Sequence, residues 1–140
     1  MLRIDRSASS VTAASPDRCR AVLTDVPAYP TWASLIERVE ATGPGDAITV
    51  TGKILGLEIV MLCVVEEDSG AIRLRRLPFD AGDDERYLAT WTLEPDGRGT
   101  RIGLHVTAEL DAPGAASLLR GRVERKLADE LLADLVRAVR

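Results

Sequence analysis

Residues 15–32, SPDRCRAVLTDVPAYPTW, read as two short helices broken by a proline elbow. Ser15 stands just before Pro16. A serine hydroxyl there accepts from the unpartnered amides of a first helical turn, and proline at the first position loses no hydrogen bond. Cys19, Val22 and Leu23 then fall on one helical face. Asp25, Pro27 and Pro30 stop the chain and re-aim it, because proline fixes its own φ and pushes the preceding residue out of helix. Tyr29 and Trp32 close the elbow about one turn apart.

Working outward, the flanks have a different period. Residues 2 to 13 read as a first strand, with Val11 the best candidate for a core contact, and Leu35 to Thr42 as a second. Gly43-Pro44-Gly45-Asp46 is a turn. Ile48, Val50, Gly52 and Ile54 alternate with polar residues in a third strand that Gly56 ends. Leu57 to Glu67 is the most apolar strand, with Ile59, Met61, Cys63 and Val65 on one face, and Asp68-Ser69-Gly70 turns the chain into Ala71 to Leu77. Tyr87, Ala89, Trp91 and Leu93 share a face of the next strand. After Asp96-Gly97-Arg98-Gly99, the residues Ile102, Leu104, Val106, Ala108 and Leu110 mark a last strand with a clean inside and outside.

From Pro113 onward Leu119, Val123, Leu127, Leu131 and Leu135 recur every four residues, with Ala116, Leu132, Val136 and Val139 widening the stripe. The pattern predicts one long amphipathic helix, ~40 Å if unbroken, with Gly121 the place where it would bend.

The composition narrows the function classes. A chain of 140 residues reads as one domain, 1–140. The net charge of −4 gives no general attraction to nucleic acid or anionic membrane. The longest apolar run, Ile59 to Val65, is far short of the ~20 residues a membrane span needs, so no stable membrane insertion is expected. Cys19 and Cys63 have no zinc-like spacing and read as buried free thiols, and with no leader-like start they suggest a cytoplasmic protein. No cofactor motif and no metal-ligand spacing is present, and the glycines sit in hairpin turns rather than in a phosphate loop.

A long helix with one apolar face must bury it, and a curved antiparallel sheet is the available partner, giving an α+β fold of about seven strands. The element order and the segment SPDRCRAVLTDVPAYPTWASLIERVE resemble the START-like superfamily with its helix-grip fold. That superfamily includes Bet v 1-type allergens, polyketide cyclase/dehydrase-like proteins and coenzyme Q-binding proteins. The likeness rests on Ser15-Pro16, Leu23, Asp25, Tyr29-Pro30, Trp32, Ile36 and Val39, on the hairpin PDGRGTRI and on the Leu-rich terminal helix. Arg20 departs from it, standing where such proteins commonly carry Trp or another large apolar residue. The resemblance implies a strongly curved sheet wrapped around the helix, with a cavity between them for lipids, polyketides, quinones or other apolar molecules.

Several residues are candidates for lining that cavity. Trp32 is a structural plug or a cavity lid. Ile59 and Met61 lie on the apolar face of their strand; Tyr87 and Trp91 either pack the core or offer polar tips to a ligand. Leu119, Val123 and Leu127 are expected to face the cavity from the helix. If Ile72 and Leu74 point inward, Arg76 continues their face, and must then be paired with an acidic group, reach solvent or meet a ligand's carbonyl or carboxylate. His105, the single histidine, falls on the solvent side of the last strand, and Asp80, Asp83, Asp84 and Glu85 read as a solvated loop, so no catalytic residue is assigned. The expected partner is an apolar small molecule, held by a monomer or homodimer acting as carrier, sensor or store. The alternatives are a cyclase or dehydratase using Arg76 and Tyr87 in the same cavity, and an interaction module with the cavity packed shut.

Overall fold

A computed structural model describes residues 1–41, 43–112 and 114–140, leaving aside the side chains of 115 and 116. The expected end of the second strand at Thr42, the helix start at Pro113 and the Ala116 side chain lie outside the described residues.

The chain begins with β1 (Leu2–Thr12), followed by α1 (Pro16–Thr24), a 3-10 turn at Val26–Ala28 and α2 (Tyr29–Trp32). Six strands follow: β2 (Ile36–Glu40), β3 (Ile48–Ile54), β4 (Leu57–Asp68), β5 (Ala71–Arg76), β6 (Arg86–Asp96) and β7 (Gly99–Leu110). The C-terminal helical stretch starts as a 3-10 turn at Gly114–Leu119 and continues through α3 (Arg120–Glu124), a π-helical turn at Arg125–Glu130 and α4 (Leu131–Ala138). The irregularities of this stretch are the change from 3-10 to α at Leu119–Arg120, beside Gly121, and the i→i+5 pattern of the π turn.

The start of α1 follows from its cap: Ser15 Oγ accepts from the Arg18 amide at 3.2 Å, and Pro16 occupies the first turn. Replacing Ser15 by alanine is expected to cost about 1 kcal/mol in urea unfolding, with an unchanged m-value. At the other end of α1 the Tyr29 hydroxyl donates to the Leu23 carbonyl, satisfying one of the acceptors a helix end leaves open.

The strands form one antiparallel sheet in the order β1-β7-β6-β5-β4-β3-β2, curved and unclosed. β1 and β2 are therefore its two edges, and the elbow is the segment that crosses from one edge to the other. β1 pairs with β7 from Leu2↔Leu110 to Thr12↔Thr100, and β6 pairs with β7 from Arg86↔Glu109 to Asp96↔Gly99. Directly opposed residues share a face, so Leu74, Ala89 and Val106 form one inward row and Ile72, Trp91 and Leu104 another. Ile72, Leu104 and Val106 are essentially inaccessible. Val11 does not join this core: it is 51 % exposed, because inward residues of β1 such as Leu2 and Ile4 lie at even positions and Val11 falls out of phase with them.

Two polar links fix the C-terminal helix over the sheet. Arg6 on β1 grips Asp129 with two parallel hydrogen bonds, Nε–Oδ1 at 3.1 Å and Nη2–Oδ2 at 2.7 Å. Those bonds hold the Asp129 carboxyl below the usual carboxylate range. The buried Asp134 Oδ2 accepts from both the amide (2.9 Å) and the hydroxyl (2.8 Å) of Ser34, and its other oxygen pairs with Arg137. The junction between α2 and β2 is thereby tied to α4.

Candidate functional site

Between the concave side of β3–β6 and the helical turn carrying Leu127 and Leu131 lies an apolar cavity. Its wall is built by strand pairing. Val50 stands opposite Met61, Gly52 opposite Ile59, and Leu74 opposite Ala89. Ile54, Tyr87, Trp91 and Leu110 complete the sheet side, and Tyr29, Trp32, Leu35 and Ile36 close the end under the elbow. Gly52 is required there: a Cβ on it would meet the Leu35 carbonyl oxygen at 2.5 Å, and that oxygen accepts from the Lys53 amide at 3.1 Å. The room left for the centre of a water-sized sphere is about 50 Å³, within about 700 Å³ of atom-free space that includes the open mouth. The inner room exceeds that for a single water but falls below the ~150 Å³ of a cavity that takes up benzene. A larger guest must shift side chains. Met61, flexible, and Trp32, half-buried at the elbow, are placed to yield.

The wall carries no charged side chain. The residues with polar side-chain atoms that border it are Tyr29, Trp32, Tyr87 and Trp91. The three aromatic rings at the elbow end pack edge to face, Tyr29 on Trp32 with centroids 5.3 Å apart and Trp32 on Trp91 at 6.4 Å. Burial pushes both tyrosine hydroxyls above their ordinary pKa, so each is a neutral donor at any physiological pH. Behind the wall, burial pushes the Cys63 thiol up to about 12, with Arg76 opposing, which leaves it unreactive.

The structure brings Trp32, Ile59, Met61, Leu74, Tyr87, Trp91 and Leu127 together on this wall. Three expected residues are elsewhere. Leu119 belongs to the 3-10 turn before α3 and is 37 % exposed, since the regular helix starts only at Arg120. Val123 is buried but does not border the cavity; the helix meets the cavity one turn later, at Leu127 and Leu131. Arg76 does continue the inward face of Ile72 and Leu74, opposite Cys63, yet its guanidinium turns away from the cavity. Its Nη2 donates to Asp83 Oδ2 at 2.7 Å and its Nη1 to the Glu85 carbonyl at 3.0 Å. The loop after β5 is consequently not all solvated: the Asp83 side chain is 10 % exposed and also accepts from the amides of Phe79 and Glu85. His105 lies exposed on the outer face, its Nε2 2.7 Å from Asp5 Oδ1.

Among the described residues no group of three or more His, Cys, Asp and Glu could hold a metal, and no helix is long and apolar enough to cross a membrane. A family model described as "Polyketide cyclase / dehydrase and lipid transport" matches residues 3–140. The chain belongs to this family. No curated protein sequence matches it. Among solved structures, TTHA0849 from Thermus thermophilus is 25 % identical over 97 % of both chains, with a TM-score of 0.78. A START superfamily protein from Mycobacterium smegmatis (18 % identical, 97 % of this chain and 98 % of that one, TM-score 0.69) has the same fold. So has the Zhui aromatase/cyclase from Streptomyces sp. R1128 (18 %, 98 % and 93 %, TM-score 0.70).

The cavity lining is a product of register as much as of residue type. Val50 and Ile54 carried the period-2 signal, but only their pairing with β4 puts them in the wall beside Met61 and Ile59. Leu131 was one step further along the four-residue repeat that pointed to Leu127. Ala89, small and inward between Tyr87 and Trp91, had the signal of strand phase alone.

Proposed function

We propose that residues 1–140 act as one binding domain that holds an apolar or amphipathic small molecule between sheet and C-terminal helix, as a carrier, sensor or store in the cytoplasm. The observation that supports this reading most is the wall itself. It is apolar on sheet, elbow and helix sides alike, with no charged group in it. Affinity then comes from burial, at ~25 cal/mol per Å² of apolar surface. The family description, which pairs cyclase chemistry with lipid transport, is compatible with it. A cyclase would need groups to polarise a carbonyl. Arg76 is already engaged by Asp83, which leaves Tyr87 alone among the residues considered for that task.

The test is native mass spectrometry after incubation with a total lipid extract, paired with thermal melting. A retained small-molecule adduct and a rise in melting temperature with extract concentration are expected. An unliganded mass and an unchanged melting temperature would overturn the reading.

A further inference from the structure

Trp32 stands between two spaces. It borders the inner cavity, and it also borders an open recess of about 460 Å³ on the outside of the elbow, between α1, α2 and the end of α4. No other described residue borders both. The recess is lined in part by the small side chains of Ala21, Ala28 and Ala138, and its room exceeds the ~150 Å³ of a cavity that takes up a benzene ring. The neighbours of Trp32 are anchored by hydrogen bonds. The Tyr29 hydroxyl is bonded to the Leu23 carbonyl, the Ala33 amide donates to the Tyr29 carbonyl at 2.8 Å, and Asp134 accepts twice from Ser34. The Trp32 side chain has no such anchor. Its one polar atom, Nε1, is buried with no hydrogen-bond partner, alone in that state among the described side-chain nitrogens and oxygens. Apolar packing keeps the ring in place, edge to face on Tyr29 and Trp91.

Resting on the binding reading above, we infer that Trp32 is a swinging plug: when a guest enters, its indole turns about its own side-chain bonds into the outer recess, and the place it vacates joins the binding site. Two opposing terms set the balance. Turning out gives up the ring packing against Tyr29 and Trp91. It also lets water reach an N–H that the closed position leaves desolvated and unpaired, a cost the closed position carries in full. The empty cavity keeps the plug in, and a guest that takes over its contacts with Tyr29 and Trp91 tips it out, by as much as the guest prefers the open position. The motion breaks no hydrogen bond of the elbow, since Tyr29 stays tied to Leu23 and Ser34 to Asp134. The inner room of about 50 Å³ is then a property of the empty protein and not a limit on the guest.

The chain has two tryptophans, which allows a direct reading. Trp91→Phe keeps an aromatic neighbour and leaves Trp32 as the single tryptophan. Titration with 1-octanol, neutral and transparent where tryptophan is excited, is expected to shift the Trp32 emission to the red and to raise its quenching by acrylamide. A ring that stayed in place would be covered by the guest and give the opposite sign, a blue shift with less quenching. A second measurement leaves both tryptophans alone. Ala21 is exposed on α1 and borders the recess but not the cavity. Ala21→Phe occupies the recess and is expected to weaken octanol binding about tenfold by calorimetry, with the melting temperature of the empty protein unchanged. A blue-shifted or unmoved Trp32 spectrum, or wild-type affinity in Ala21→Phe, overturns the swinging plug, while octanol binding itself keeps the cavity reading. No binding of octanol by the wild-type protein overturns both.

Discussion

Replacing Asp83 by alanine is expected to lower the melting temperature by on the order of 5–10 °C. Arg76 and Asp83 are 4 % and 10 % exposed, and the carboxylate accepts three hydrogen bonds: from Arg76, and from the amides of Phe79 (2.9 Å) and Glu85 (3.2 Å). Removing it strands a buried guanidinium that keeps the Glu85 carbonyl at 3.0 Å and the more distant Glu85 carboxylate at 3.6 Å. Breaking one side of such a pair is worse than removing both. The double variant Arg76→Met/Asp83→Ala should therefore recover most of the loss, and simple additivity of the two single losses would refute the coupling. The same pair sets an acid limb. The hydrogen bond from Arg76, then that from the Phe79 amide, holds the Asp83 carboxyl at about 2, against 3.8 ordinarily. A depressed folded-state value means the contribution is complete above about pH 4 and is lost as pH falls toward 2. Asp83→Asn should flatten the stability curve in that window and leave its shape above pH 5 alone, as read by urea unfolding at stepped pH.

Filling the cavity and enlarging it should have opposite signatures. Ala89 is 1 % exposed and lies on the wall between Tyr87 and Trp91. Leucine there takes up most of the roughly 50 Å³ of inner room and is expected to weaken binding of any guest by about a hundredfold or more, at a modest cost in stability. Leu127→Ala removes a buried side chain from the opposite wall, and should cost about 2–5 kcal/mol of stability while admitting bulkier guests. Binding titrations with acetophenone and its larger homologue 2-acetylnaphthalene, alongside urea unfolding, read both effects. Undiminished binding by Ala89→Leu would place the binding site elsewhere on the molecule.

Much of the fold was legible because the signals were local. Ser15-Pro16, the two prolines of the elbow and the alternation of β3, β4, β6 and β7 each act within a few residues, and the elements they predict are the observed ones. The misplacements came from pairing and backbone geometry that the residue pattern alone does not carry. Val11 was judged on its side chain, whereas the β1–β7 register decides that it faces out. Arg76 was correctly placed on the inward face, but its partner is a loop aspartate seven residues on, in a segment whose composition says only that it is polar. Leu119 was given to the cavity by a stripe that runs unbroken in sequence while the backbone beneath it changes from 3-10 to α.

The π turn at Arg125–Glu130 bears on the four-residue leucine repeat in a way that concerns phase. An α-helix turns 100° per residue, so each step of four overshoots a full revolution by about 40°. From Val123 through Leu127, Leu131 and Leu135 to Val139 the overshoot would reach about 160°, wider than an apolar stripe of about 100°. Yet all five are buried. The i→i+5 turn takes more residues per revolution and winds the row back, as a vernier corrects a scale whose divisions do not match. A strict period of four is thus the imprint of an underwound helix: deleting one residue from Arg125–Glu130 would restore regular winding with Val123 seven residues before Leu131, about 20° short of two full turns and still on the same face.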